Sequence, residues 1–161
     1  MSAPLPFQWI VLIATFVVAI GLTIVPLPQW VDIARPEWVA LTMIYWCMAM
    51  PWRVSIGTAW CLGLLLDVLQ GATLGQHALA LVLVAYLIQR FYLQLRSFPV
   101  WQQSLVVMLL LLVYKFPLFW ISGMSSRVEP VLGWQAVIAS GLLWPWVFAL
   151  LRGIRRHYEL A

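Results

Sequence analysis

LGLLLDVLQGATLGQHALAL, Leu62 to Leu81, holds a single acid, Asp67, in a run of leucines punctuated by Gly63, Gly71 and Gly75. Gly63, Asp67, Gly71 and Gly75 recur at a spacing of four. The first three therefore share one face of a helix. Small residues let a neighbouring backbone approach closely, as in small-xxx-small packing, and a carboxylate inside an apolar helix is costly unless it has a partner. The stretch reads as a helix, a tight turn at Gln70-Gly71-Ala72-Thr73 and a second helix, with Asp67 facing protein or a polar cavity.

The surroundings explain why such a hairpin belongs in a membrane. The chain has 161 residues, 65% hydrophobic and only 9% charged, against about 25% charged in an ordinary soluble domain. So few charges cannot cover a soluble surface. Eleven tryptophans point the same way, because indole rings favour the membrane–water interface. The net charge of +4 comes from basic residues spread along short connections and the tail. That distribution suits topology and lipid headgroups, and nucleic-acid binding is not expected. Cys47 and Cys61 lie in apolar segments outside any CxxC or Cys/His cluster, so neither a disulfide nor zinc is indicated. The N-terminus lacks a basic n-region and a small-residue cleavage site, and its first apolar run is expected to be a retained helix.

A helix needs about 20 residues to cross a ~30 Å hydrocarbon core. Segments are expected at about 7–25, 38–50, 54–69, 74–89, 101–121 and 131–151, the second and third being short. About six transmembrane helices in one domain, residues 1–161, place both termini on one side. With that side inside, the cytoplasmic set is Arg53, Arg90, Arg96, Arg152, Arg155 and Arg156, against Arg35 and Arg127 outside. The positive-inside rule therefore predicts cytoplasmic termini. A re-entrant second and third pair fits this bias less well, since it moves Arg53 outside. Trp9, Trp30, Trp38, Trp52, Trp101, Trp120 and Trp134 fall near the predicted interfaces.

Two readings stay open for Asp67. Asp67 and Lys115 lie at similar depths, ~20 Å from the inner end by the helical rise, which allows an ion pair. Alternatively, Asp67 hydrogen-bonds backbone groups or caps the turn at Gly71–Thr73. A proton or ion pathway is disfavoured, because one intramembrane acid makes a poor relay. His77 reads as a hydrogen-bonded interface residue, since no further ligand lies at helical spacing. Ser122, Ser125 and Ser126 have no context tying a base to a nucleophile. Pro145, inside the sixth segment, is expected to shape that helix. Arg152, Arg155 and Arg156 mark a boundary at which anionic lipid would be met. No cofactor is indicated.

Taken in order, RPEWVALTMIYWCMAMPWRVSIGTAW (Arg35–Trp60), the opening stretch, WQQSLVVMLLLLV (Trp101–Val113) and GLLWPWVFALLRGIRR (Gly141–Arg156) resemble the MreD family of rod shape-determining membrane proteins in its proteobacterial form. The pattern falls on Arg35, Pro36 and Trp38, on Pro51, Arg53 and Gly57, on Gly63, Asp67, Gly71, Gly75 and Gln76, on Gln102 and Gln103, and on Trp144 and Pro145. Trp52 stands where the pattern has histidine, and Lys115 belongs to no motif. The resemblance implies a non-enzymatic, multi-pass protein of the bacterial inner membrane, working in the machinery that builds lateral-wall peptidoglycan. It implies MreC as the direct partner, through transmembrane helices, within an assembly that includes MreB, RodA and a penicillin-binding transpeptidase. It also implies an all-α fold similar to the substrate-binding membrane subunits of energy-coupling-factor transporters. That fold keeps open an alternative role, binding of a small molecule or lipid intermediate.

Overall fold

A computed structural model describes residues 5–124 and 133–158. Ser125, Ser126 and Arg127 lie outside these, as does the start of the predicted sixth segment. The described chain is helical: α1 (Leu5–Ile24), a single-turn α2 (Gln29–Asp32), α3 (Trp38–Ala49), α4 (Ile56–Gln70), α5 (Gln76–Ser97), α6 (Val100–Met124) and α7 (Trp134–His157). Four helices, α1, α5, α6 and α7, are long and apolar enough to cross a membrane. With α3 and α4 beside them, the chain is an all-α polytopic membrane protein.

At 12 and 15 residues, α3 and α4 span only about 18 and 22 Å by the helical rise. For α3 the shortfall is tolerable because it meets protein on every side. Each residue from Val39 to Ala49 is buried, and α1, α5, α6 and α7 pack around it. A helix apolar all round belongs in such a position. Here the uniformly apolar WVALTMIYWCMA supplies a core that includes the fully buried Trp46. By contrast, α4 is peripheral and packs mainly on α5. Exposed side chains such as Ile10, Val18, Val68, Leu109, Leu142 and Trp146 form the lateral, lipid-facing surface.

Both short helices link the same two ends of the bundle. One end carries the chain termini: Phe7 packs edge-on against Tyr158 at 5.4 Å, and the Arg53 guanidinium lies over the Trp9 ring at 5.9 Å. The other end carries the α4–α5 turn, where Gln76 reaches Ser122 near the end of α6. Both described chain ends therefore lie on one face of the bundle.

Local chemistry sets the boundaries. Ser55 and Thr58 form a reciprocal capping box at the start of α4, satisfying otherwise orphan amides. The predicted fourth segment stops at Gln89, but α5 continues to Ser97 with a non-helical residue at Phe91. Arg90 is exposed and does not end the helix, because a long basic side chain on a helix can lie along the surface and reach water. Pro145 lies inside α7 and Pro117 inside α6, and both helices run on past them.

Candidate functional site

The α4–α5 hairpin is built around Asp67. At the end of α4, Gly71 takes the left-handed conformation (φ 62°), and the Ala72 N–H donates to the Asp67 carbonyl at 3.0 Å. This is the Schellman closure that glycine favours. Gly75, at φ 94°, is the N-cap of α5 and has no side chain with which to cap it. Asp67 takes over that task from the neighbouring helix. Its Oδ2 accepts the Gly75 N–H at 2.7 Å, and its Oδ1 accepts the His77 N–H at 2.9 Å. The same Oδ1 lies 2.8 Å from Nδ1 of His77. Asp67 is 1% exposed. A carboxylate so placed satisfies amides that α5 cannot satisfy itself and meets the positive end of its dipole.

This contact requires α4 and α5 to lie very close together. Gly63, one turn before Asp67, makes that possible, since a Cβ at that position would overlap the Ala78 backbone. Gln76 extends the junction to α6, donating from Nε2 to Ser122 Oγ at 3.2 Å and to the Leu118 carbonyl at 3.5 Å. Gly63, Asp67, Gly71, Gly75 and Gln76, singled out in the sequence, thus come together in one place.

Lys115 does not join them. The Asp67–Lys115 ion pair allowed by equal depth does not form. Lys115 pairs with Glu37, and both side chains are 21% exposed. Equal depth says nothing about which helices are neighbours. Glu37 is the N-cap of α3, where an anion is favoured, and its N–H donates to Ser140 Oγ of α7 at 3.0 Å. Glu37 and Ser140 therefore tie α3 to α6 and α7. Neither stood out in the sequence, because their partners lie 78 and 103 residues away. Nearby, Arg35 pairs with Asp32 at 2.8 Å and donates to the carbonyls of Thr23 and Val25, closing the end of α1. Pro36 and Trp38 lead into α3, half-buried.

At the terminus end, Gln103 is 4% exposed. Its Nε2 donates to the Leu95 and Phe98 carbonyls at 3.0 and 3.3 Å, and its Oε1 accepts the Trp144 indole N–H at 3.4 Å. It thereby joins the end of α5 to α6 and α7, while Gln102 beside it is half-exposed. Trp144 is fully buried and Pro145 faces outward. Pro51 accepts from Gln89 Nε2 at 3.5 Å. Gly57 is exposed, and a Cβ there would meet nothing closer than 3.9 Å, so the fold itself does not require glycine at that position. Arg152 and Arg156 are exposed and Arg155 half-buried on the last turns of α7. Among the described residues, no group of three His, Cys, Asp or Glu side chains could hold a metal ion.

These polar groups brace helix junctions. Asp67 is engaged by two amides and an imidazole, Lys115 by a carboxylate, and Gln103 by two carbonyls and an indole. The comparisons with known proteins agree with a chain of this kind. Residues 5–154 match the family model described as rod shape-determining protein MreD. A curated relative, "Rod shape-determining protein MreD" of Haemophilus influenzae, is 41% identical over 156 residues, covering 95% of each chain. None of the solved structures gives a significant match. Matched along nearly its whole length by model and relative alike, the chain belongs to the MreD family of rod shape-determining proteins.

Proposed function

We propose that the chain is a non-enzymatic component of the machinery that keeps bacterial cells rod-shaped. It sits in the inner membrane as a single transmembrane domain with both termini in the cytoplasm. It binds MreC through its transmembrane surface and scaffolds or regulates lateral peptidoglycan synthesis, in an assembly with MreB, RodA and a penicillin-binding transpeptidase. The observation that carries this reading is the use of Asp67. A buried acid in a membrane protein is the first place to look for chemistry, and here its oxygens go to the amides of Gly75 and His77 and to the imidazole of His77. The end-to-end match to a rod shape-determining relative supports the cellular role. Charge supports the orientation: Arg53, Arg96, Arg152, Arg155 and Arg156 gather toward the terminus end, as the positive-inside rule requires of a cytoplasmic face.

The test is co-purification. The tagged full chain, extracted in a detergent that preserves its thermal unfolding transition, is expected to retain MreC and to restore rod shape to cells depleted of their own copy. A folded chain that restores shape without retaining MreC would remove the partner from this reading. Reporter fusions at the two termini check the orientation, and periplasmic activity at either one would reverse it.

A further inference from the structure

The wall formed by α4 and α5 has a shorter apolar height than the wall formed by α1. Its α4 strip, Ile56 to Gln70, is 15 residues long, about 22 Å by the helical rise. Trp60, Leu65, Val68 and Leu69 face outward along it. On α5 the apolar run lies between Gln76-His77 and Gln89-Arg90, and Gln76 to Gln89 covers about 20 Å. The two helices are fixed at matching levels. Asp67 joins the end of α4 to the start of α5 through the Gly75 and His77 amides. At the other end, the Pro51 carbonyl, just before α4, accepts from Gln89 Nε2 at 3.5 Å. Between these ties Gly63 lies against the Ala78 backbone. Beyond Arg90, α5 passes the non-helical Phe91 and carries the exposed Gln94, Arg96 and Ser97, which suit headgroups better than acyl chains. By contrast, α1 runs for 20 residues without a charge, about 30 Å, with Ile10, Val17, Val18 and Ile24 exposed.

We propose that the α4–α5 wall is covered by lipid whose hydrocarbon layer is compressed to about 22 Å, against ~30 Å around α1. Both rims of the wall carry groups that set the headgroup level. At the terminus end Trp52 and Arg90 are exposed and Arg53 is half-buried. Indoles favour the interface, and guanidiniums complement the charge of lipid phosphates. At the other end Gln70 and Thr73 are exposed. A helix too short for the layer gains nothing by tilting, since tilt lowers its height further. The bilayer thins, flanking side chains snorkel, or the helix associates with another. Snorkelling is limited here: Arg53 lies over the Trp9 ring, and Gln70 and Thr73 are short side chains. Pairing with a second copy through the same face would bring Arg53 and Arg90 of both chains to one rim, which like charge opposes. Thinning is the response that remains. It takes place whichever way the chain is oriented and needs no protein partner.

Nitroxide depth measurements on the full chain in dioleoyl phosphatidylcholine–phosphatidylglycerol vesicles test this directly. Ile56→Cys and Gln70→Cys place labels 14 residues apart on α4, and Ile10→Cys and Ile24→Cys place them 14 residues apart on α1. The exposed Cys61 is replaced by serine, and the buried Cys47 stays. Depth is read from relaxation by oxygen against relaxation by an aqueous nickel chelate. Both α1 labels are expected within the hydrocarbon. Both α4 labels are expected at its edge, shallower by ~4 Å at each end, half of the ~8 Å mismatch. In dimyristoleoyl vesicles, whose layer is already thin, the two pairs are expected to converge. Equal depths in dioleoyl vesicles would overturn the thinned rim, as would a difference that persists in the thin ones. Labels on α4 shielded from both relaxants would place protein on that face and overturn lipid as its occupant. Should either α4 variant lose its thermal transition, the native Cys61, near the middle of α4, gives the same reading. It is expected at least ~4 Å nearer the headgroups than Val17→Cys at the middle of α1.

Discussion

At the end of the bundle that carries the α4–α5 turn, charges meet charges or helix ends of the same chain. Asp67 faces His77 and the first amides of α5, Glu37 faces Lys115, and Arg35 faces Asp32 and the end of α1. At the opposite end, Arg96, Arg152 and Arg155 surround one cavity whose described lining holds no acid, and Arg53 lies over an indole. The first end is closed by its own residues. The second gathers three guanidiniums, from α5 and α7, around that cavity. Substitutions at the first end should therefore act on the fold, and those at exposed arginines such as Arg152 should disturb it less.

The sharpest way to break that contrast is Asp67→Ala. It strands two amides and an imidazole in a buried site, and it is expected to cost about 3–5 kcal/mol, read as a lowered thermal transition in detergent. A wild-type transition would show that α5 needs no cap from α4. Gly63→Ala comes next, at about 1–3 kcal/mol, because the added methyl collides with the Ala78 backbone. Gly57→Ala serves as its control and is expected to be neutral or slightly stabilising, since its surroundings are open and alanine favours helix by about 1 kcal/mol. A folded Gly57→Ala chain that fails to restore rod shape would place a partner contact on the outer face of α4. Gln103→Leu is expected to cost about 1–2 kcal/mol through its lost bonds to the end of α5 and to Trp144. Lys115→Met is expected to cost about 1 kcal/mol, being a pair partly open to solvent, and less as salt is raised.

The legible part of this fold was set by length and apolarity. Segments at 38–50 and 54–69 became α3 and α4 within a residue or two, because proline and polar residues bound each block. The glycine spacing around Asp67 identified a close-packed hairpin before any neighbour was known, since only glycine permits the Gly63–Ala78 approach. What could not be read depends on which helices touch. Lys115 and Asp67 share a depth but not a neighbourhood, and Glu37 becomes the partner of Lys115 only when α3 threads the middle of the bundle. His77 lies ten residues from Asp67, a separation that meets across a turn and matches no helical spacing. The single turn of α2 was missed, being too short for any periodicity to mark it. The arginine cavity stayed hidden for a related reason, because Arg96 and Arg152 meet only when the ends of α5 and α7 converge.

The claim beneath all of this is that the buried acid is architecture, and one paired measurement on Asp67→Asn and Asp67→Ala tests it most directly. Each full chain is followed by thermal unfolding in detergent and by restoration of rod shape in depleted cells. Asparagine keeps one acceptor oxygen for the α5 amides and alanine keeps none. Stability and shape are expected to fall together, part-way in Asp67→Asn and further in Asp67→Ala. A variant with wild-type stability that leaves the cells round would contradict the account, because the carboxylate would then act on something other than the fold.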